Sequence, residues 1–239
     1  MKGLTVKELE RFKMLAAIGV LLIAINFIAV LFFPTDASRV IRFAGSTVLN
    51  GYFLIAFPAH RKKLIITLIA FWFRDIAAIF YEDGTNDWGF FICGGIAYLS
   101  LFIRQLKSLW RFKIITPSIT ITGFVVLACF VILYSLESVL DMAEHDRDLI
   151  YYFYFLGISI VFLILLAVYY YYRIGGVRAL SFSFAVFAFT ISDIAAYFGV
   201  YMEDHLFFLV TRTFYLAGLI MLMNYAITRP DAGEEDLVE

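Results

Sequence analysis

Eight apolar runs laid almost end to end constrain this chain more than any other feature. They cover 14–33, 40–58, 64–82, 88–106, 114–136, 149–172, 179–201 and 205–228. A helix needs about 20 predominantly apolar residues to cross a hydrocarbon core roughly 30 Å thick, and each run is near that length. The second is the weakest, because Arg42, Ser46, Asn50 and Gly51 interrupt it. The loops are short, and no linker or low-complexity tract separates modules. Of the 239 residues, 63% are hydrophobic and only 16% are charged. A soluble domain is about a quarter charged, so this chain has too little polar surface to coat itself in water. The sequence predicts an all-α integral membrane domain of eight transmembrane helices over residues 1–228, then an acidic cytoplasmic tail over 229–239. Secreted, DNA-binding and disordered readings are excluded. A net charge of -1 supplies no attraction to nucleic acid.

The basic residues set an expected orientation. Lys2, Lys7, Arg11, Lys13, Arg61, Lys62, Lys63, Arg104, Lys107, Arg111, Lys113, Arg173, Arg178 and Arg229 all fall on one side of the runs. Arg39 and Arg147 face the other side, with Arg42 at an edge. The positive-inside rule then places both termini in the cytoplasm, in a bacterial-type inner or plasma membrane. Acids such as Glu82, Asp83, Glu144, Asp146, Glu203 and Asp204 gather on the outer side and read as a solvated rim. His145 and His205 lie there too, without a ligand spacing that defines a metal site. No cofactor is called for. The tyrosines of 151–154 and 169–172 sit at opposite ends of the sixth run, as interfacial belt residues do.

Four charged residues lie well inside spans: Arg74, Asp75, Asp193 and Arg212. Charge at such depth is costly, faces a bundle interior and marks functional candidates. Two of them belong to a repeat. Asp75 and Asp193 each open an Asp-Ile-Ala-Ala-x-Phe motif. Each is followed by a Glu-Asp pair, a Phe-Phe pair and a tyrosine in the next span, Tyr98 or Tyr215. Both motif-bearing spans run in the same direction, which predicts a parallel duplication of a four-helix unit, 1–4 and 5–8, about an axis along the membrane normal. At 1.5 Å per residue, Asp75, Asp193 and Arg212 lie roughly 10–15 Å below the outer acids. A shared pocket containing Asp75, Asp193, Arg212 and Tyr215 is therefore expected. The alternative is an ion-pair lock, in which Arg74 or Arg212 neutralises the aspartates and ties helices together.

Two carboxylates facing one cavity can divide acid and base roles. That division suits opening of a C–O bond beside a stabilised cation, as in glycoside hydrolysis. Proton relay in a transporter is the competing use. The motifs Phe73-Arg74-Asp75 and Ile191-Ser192-Asp193 resemble those of the YhhN-like lysoplasmalogenase family of eight-helix membrane proteins. The segments from Phe91 to Tyr98 and from Tyr215 to Gly218 add to the resemblance. It implies hydrolysis of the vinyl ether bond of a lysoplasmalogen, a lysophospholipid substrate, and Asp75 and Asp193 as the acid and base. Which of the two is the acid stays open; Arg74, next to Asp75 in sequence, favours Asp193. Arg74 stands where the family often has glycine, Gly95 where it often has histidine, and Gly218 where it often has glutamine. A diverged member that binds lipid without cleaving it, or serves a structural role, is the alternative. A proton-coupled transporter is the third reading. The orientation has a direct test: a C-terminal green fluorescent protein fusion fluoresces in cells, whereas a C-terminal alkaline phosphatase fusion is inactive. The reverse pattern contradicts cytoplasmic termini.

Overall fold

The computed structural model of this chain describes residues 6–80, 87–109, 116–140, 147–201 and 205–228. These form eight α-helices and one 3-10 turn, with no strand among the described residues. The helices are α1 (Val6–Phe32), α2 (Thr35–Ala56), α3 (Ile65–Ile79) and α4 (Asp87–Leu109), then α5 (Thr116–Leu140), α6 (Arg147–Ile174), α7 (Gly176–Tyr201) and α8 (His205–Ile227). Each falls on one of the eight apolar runs. Five are long and apolar enough to cross a membrane, through Leu9–Phe32, Trp88–Leu106, Leu149–Ile174, Gly176–Val200 and Leu206–Ile227. The chain is read as membrane-embedded on those five. Two others fall short for separate reasons. α3 has 15 residues, about 22 Å at 1.5 Å per residue. α2 carries Asp36, Arg39 and Arg42 in its first turns. In α5, Gly123–Glu137 forms an apolar segment among the described residues.

Local chemistry sets the breaks. Pro34 holds extended backbone (φ -59, ψ 154) at the N-cap of α2 and separates it from α1, as a ring-fixed φ allows. Asp36 sits in the first turn of α2, where the partial positive charge of the helix end favours an acid. The α6–α7 break is a glycine pair. Gly175 and Gly176 have φ of +64 and +77, a region that side chains with a Cβ rarely adopt.

Packing follows a closed circuit: α1 on α2, α2 on α3, α3 on α4, α4 on α6, α6 on α7, α7 on α8, and α8 back on α1. The fifth helix stands outside it, packed chiefly on α6. The outer surface is apolar, with exposed side chains such as Val20, Leu21, Ile55, Phe124 and Leu127, as a hydrocarbon-facing belt requires. Several interior hydroxyls bond locally or across helices; Ser192 Oγ, for example, donates to the Thr211 carbonyl at 2.9 Å and ties α7 to α8. One belt assignment is corrected. Tyr151 and Tyr172 are exposed, but Tyr170 is fully buried, edge-on to Phe182. A run of four helical tyrosines spans every face, so one of them must point inward. The acids expected on the outer face at 82, 83, 144, 146, 203 and 204 lie outside the described residues, as do His145 and the tail.

The glycines generate a signed prediction. Gly175→Ala forces a Cβ into positive φ and lowers stability by about 1 kcal/mol. Gly51→Ala, inside α2 with open space around its Cα, raises it by about 0.5–1 kcal/mol. Thermal unfolding in a neutral detergent reads both, and shifts of the same sign contradict the assignment.

Candidate functional site

Helical periodicity brings the motif residues inward. In α3 the buried face includes Phe71, Arg74, Asp75 and Ala78, spaced i, i+3, i+4 and i+7. In α7 the same offsets bury Phe189, Ser192 and Asp193. A phenylalanine therefore stands one turn before each aspartate, on the same face. Phe71 and Phe189 meet with ring centroids 4.8 Å apart. Tyr98 of α4 and Tyr215 of α8 complete a four-ring cluster. Phe71 packs edge-on against both tyrosines, at 5.6 and 6.0 Å, and Phe189 touches both at 6.3 and 6.0 Å. Each ring contributes apolar burial plus edge-to-face attraction.

The hydroxyls of those tyrosines cross between the motifs. Tyr98, which follows Asp75 in sequence, donates to Asp193 Oδ2 at 2.5 Å. Tyr215, which follows Asp193, donates to Asp75 Oδ2 at 2.8 Å. Each carboxylate also has its own cation. Arg74 Nη2 is ion-paired with Asp193 Oδ1, and its Nη1 donates to the Tyr98 hydroxyl at 3.2 Å. Arg42 Nη2 pairs with Asp75 Oδ1 at 3.0 Å, and Ser46 Oγ donates to Asp75 Oδ2 at 2.6 Å. These groups are deeply buried: Arg74 is 3% exposed, Asp75 1%, Asp193 2% and Arg212 3%. Gly94 makes room for Arg74. A Cβ there would sit 3.4 Å from Arg74 Cδ and 2.9 Å from Leu156 Cδ1. The guanidinium lies over Phe90, 4.4 Å from the ring centroid, within cation–π range.

The expected single pocket is thus two carboxylate centres. Among the described residues no hydrogen-bond partner is common to Asp75 and Asp193. Arg212 joins neither; its Nη1 donates to the Ser38 carbonyl and lies 3.5 Å from Asn26 Oδ1. The basis for preferring Asp193 as acid is also overturned. Arg74 points away from its sequence neighbour and closes on Asp193, because adjacent positions on a helix lie about 100° apart. The lock expectation holds for Arg74 and fails for Arg212, whose expected place is taken by Arg42. Sequence reasoning missed Arg42 and Ser46. Their spacing of four in the weakest run was the available signal, since it puts them on one helix face.

Two clefts adjoin the centres. One lies between α2, α7 and α8, holds about 520 Å³ of empty space, and is lined by Arg39, Arg42, Tyr197, Thr211 and Arg212 among others. The second lies between α5, α6 and α7, holds about 550 Å³, and is apolar except for Thr190, Asp193 and the ring of Tyr197. Leu133, Leu136, Leu156 and Ile160 form much of its wall. Compared with known protein families, curated proteins and solved structures, the chain matches none.

Removing one member of a buried ion pair strands the other charge, at a cost of about 3–5 kcal/mol. Asp193→Asn is expected to lose that much. Adding Arg74→Met removes the stranded charge and recovers part of the loss. Unfolding midpoints of both single variants and the double variant measure this; a double variant as unstable as the summed singles contradicts the pairing.

Proposed function

We propose that this is a membrane protein that binds a single-chain lipid. The observation that carries this reading is the α5–α6–α7 cleft, a slot with leucine and isoleucine walls whose lining includes Asp193. Apolar walls with one polar terminus suit an acyl or alkenyl chain that carries a polar group near its end. The eight helices are proposed to be a duplicated four-helix unit with both termini in the cytoplasm, in a plasma-type membrane. The crossed tyrosines and the matched phenylalanines, Phe71 and Phe189, support that duplication. In such a unit α5 corresponds to α1. α1 packs against α8, whereas α5 rests chiefly on α6 and roofs the apolar slot.

A second reading is favoured by the position of Asp193 in the lining of that slot. It is hydrolysis of a lysoplasmalogen-type vinyl ether. Protonation of the alkenyl carbon gives an oxocarbenium ion, water adds to it, and the hemiacetal collapses to a fatty aldehyde and a glycerophospho-alcohol. On this reading Asp193, paired with Arg74 and hydrogen-bonded by Tyr98, takes the proton of the attacking water. Asp75 lines neither cleft, and acid catalysis by Asp75 requires its contacts with Arg42, Ser46 and Tyr215 to open.

Native mass spectrometry of the full chain with a lysoplasmalogen separates the two. Lipid binding predicts a one-to-one adduct that is lost in Ile132→Trp, which fills the slot from its half-exposed rim. Hydrolysis additionally predicts released aldehyde that disappears in Asp193→Asn. Absence of any saturable adduct in the wild-type protein contradicts both readings.

A further inference from the structure

Arg212 is a buried guanidinium with no carboxylate at ion-pair distance among the described residues. Its Nη1 uses the Ser38 carbonyl and Asn26, and its Nε has no hydrogen-bond partner. A guanidinium has five N–H donors to satisfy, and a buried charge without a counter-charge is costly. Arg212 also lines the cleft between α2, α7 and α8. Two further arginines line the same cleft. Arg42 is committed to Asp75 at 3.0 Å. Arg39, itself buried, is 3.9 Å from Asp36, whose side chain is 88% exposed. Both arginines repel Arg212, and Asp75 is the acid that attracts it. Three guanidinium groups thus line one partly enclosed space, and among the described residues Asp75 is the buried carboxylate paired with one of them.

The geometry points to a phosphate-binding site in this cleft, with Arg212 and Arg39 as the ligating side chains and Arg42 completing the positive field. A phosphate group fits better than a carboxylate. Two separate planar forks offer more donors than two carboxylate oxygens accept, and arginine binds phosphate in bidentate fashion. The lining is otherwise a mixture of apolar groups and Thr211, which gives a low-dielectric wall around the charge. The site lies beside the start of α2, the second half of α7 and the first turns of α8, at one end of the bundle, where a phosphate can arrive from the aqueous side. Tyr197 lines this cleft and the apolar slot alike. The phosphate therefore has two sources, a free anion or the headgroup of a single-chain lipid. The site does not rest on the lipid reading, because inorganic phosphate alone satisfies Arg212.

Titration calorimetry on the full chain in neutral detergent, at constant ionic strength, tests this with three probes. They are inorganic phosphate, oleoyl lysophosphatidic acid and uncharged monooleoylglycerol. Saturable phosphate binding is expected, weakened about tenfold or more in Arg39→Gln and in Arg212→Lys. It should be unchanged in Lys62→Gln, an exposed cation in the 3-10 turn between α2 and α3. If Arg212→Lys does not fold, Arg39→Gln carries the test. Tighter binding of lysophosphatidic acid than of phosphate supports the site with a headgroup as its source. Equal binding supports it with the free anion as its source. Saturable monooleoylglycerol binding without any effect of phosphate overturns the phosphate site and leaves the lipid reading standing. Absence of phosphate and lysophosphatidic acid binding by the wild-type protein overturns it as well, as does equal weakening by Lys62→Gln.

Discussion

Burying charge inside an apolar bundle is the constraint on which this structure turns. Asp75 and Asp193 are almost fully enclosed, and neither is tolerable there without a counter-charge and hydrogen bonds. Each receives an arginine and a tyrosine hydroxyl, and the tyrosines are exchanged between the two motifs. Five helices are tied by these contacts: α3 and α7 through the acids, α4 and α8 through the tyrosines, and α2 through Arg42 and Ser46. A buried ion pair adds little net stability over an apolar replacement, yet losing one member is severe. Such pairs therefore select one arrangement of helices over others. The four aromatic rings around Phe71 and Phe189 supply the apolar burial that the charges do not.

That selection separates the molecule into regions with different chemistry. The crossed centres are filled and closed. Open space begins at their margins, with an apolar slot on the Asp193 side and an arginine-lined cleft on the Arg42 side. Tyr197 borders both. On the proposed reading, a ligand with one hydrophobic chain and one anionic group occupies the two spaces together. α1 closes the circuit by packing on α8, while α5 packs chiefly on α6 and lines one side of the slot. Function on this reading comes from the edges of the lock.

Much of this was legible in the sequence. Helix existence and order followed from the apolar runs, and the buried placement of Arg74, Asp75, Asp193 and Arg212 followed from the cost of charge at depth. The pairing of those charges did not follow. Sequence neighbours were poor guides to it. Arg74 adjoins Asp75 and serves Asp193, and Tyr98 follows Asp75 and serves Asp193 too. Which residues meet across a bundle depends on rotation about each helix axis and on how the two motif helices face, and a single sequence fixes neither. Arg42 sits at the edge of an interrupted run, where depth does not single it out. That interruption is the polar face that serves Asp75. The sequence puts Arg212 in one pocket with the aspartates, whereas its place beside Ser38 and Asn26 depends on the closeness of α1, α2 and α8.

The crossed pairing is the claim on which the whole account rests, and double-mutant cycles on unfolding free energy test it most directly. Tyr98→Phe with Asp193→Asn, and Tyr215→Phe with Asp75→Asn, are predicted to couple by about 0.5–3 kcal/mol, as residues in one hydrogen-bond network do. Tyr98→Phe with Asp75→Asn is predicted to be additive within about 0.5 kcal/mol. Strong coupling of Tyr98 to Asp75, with none to Asp193, would contradict the account.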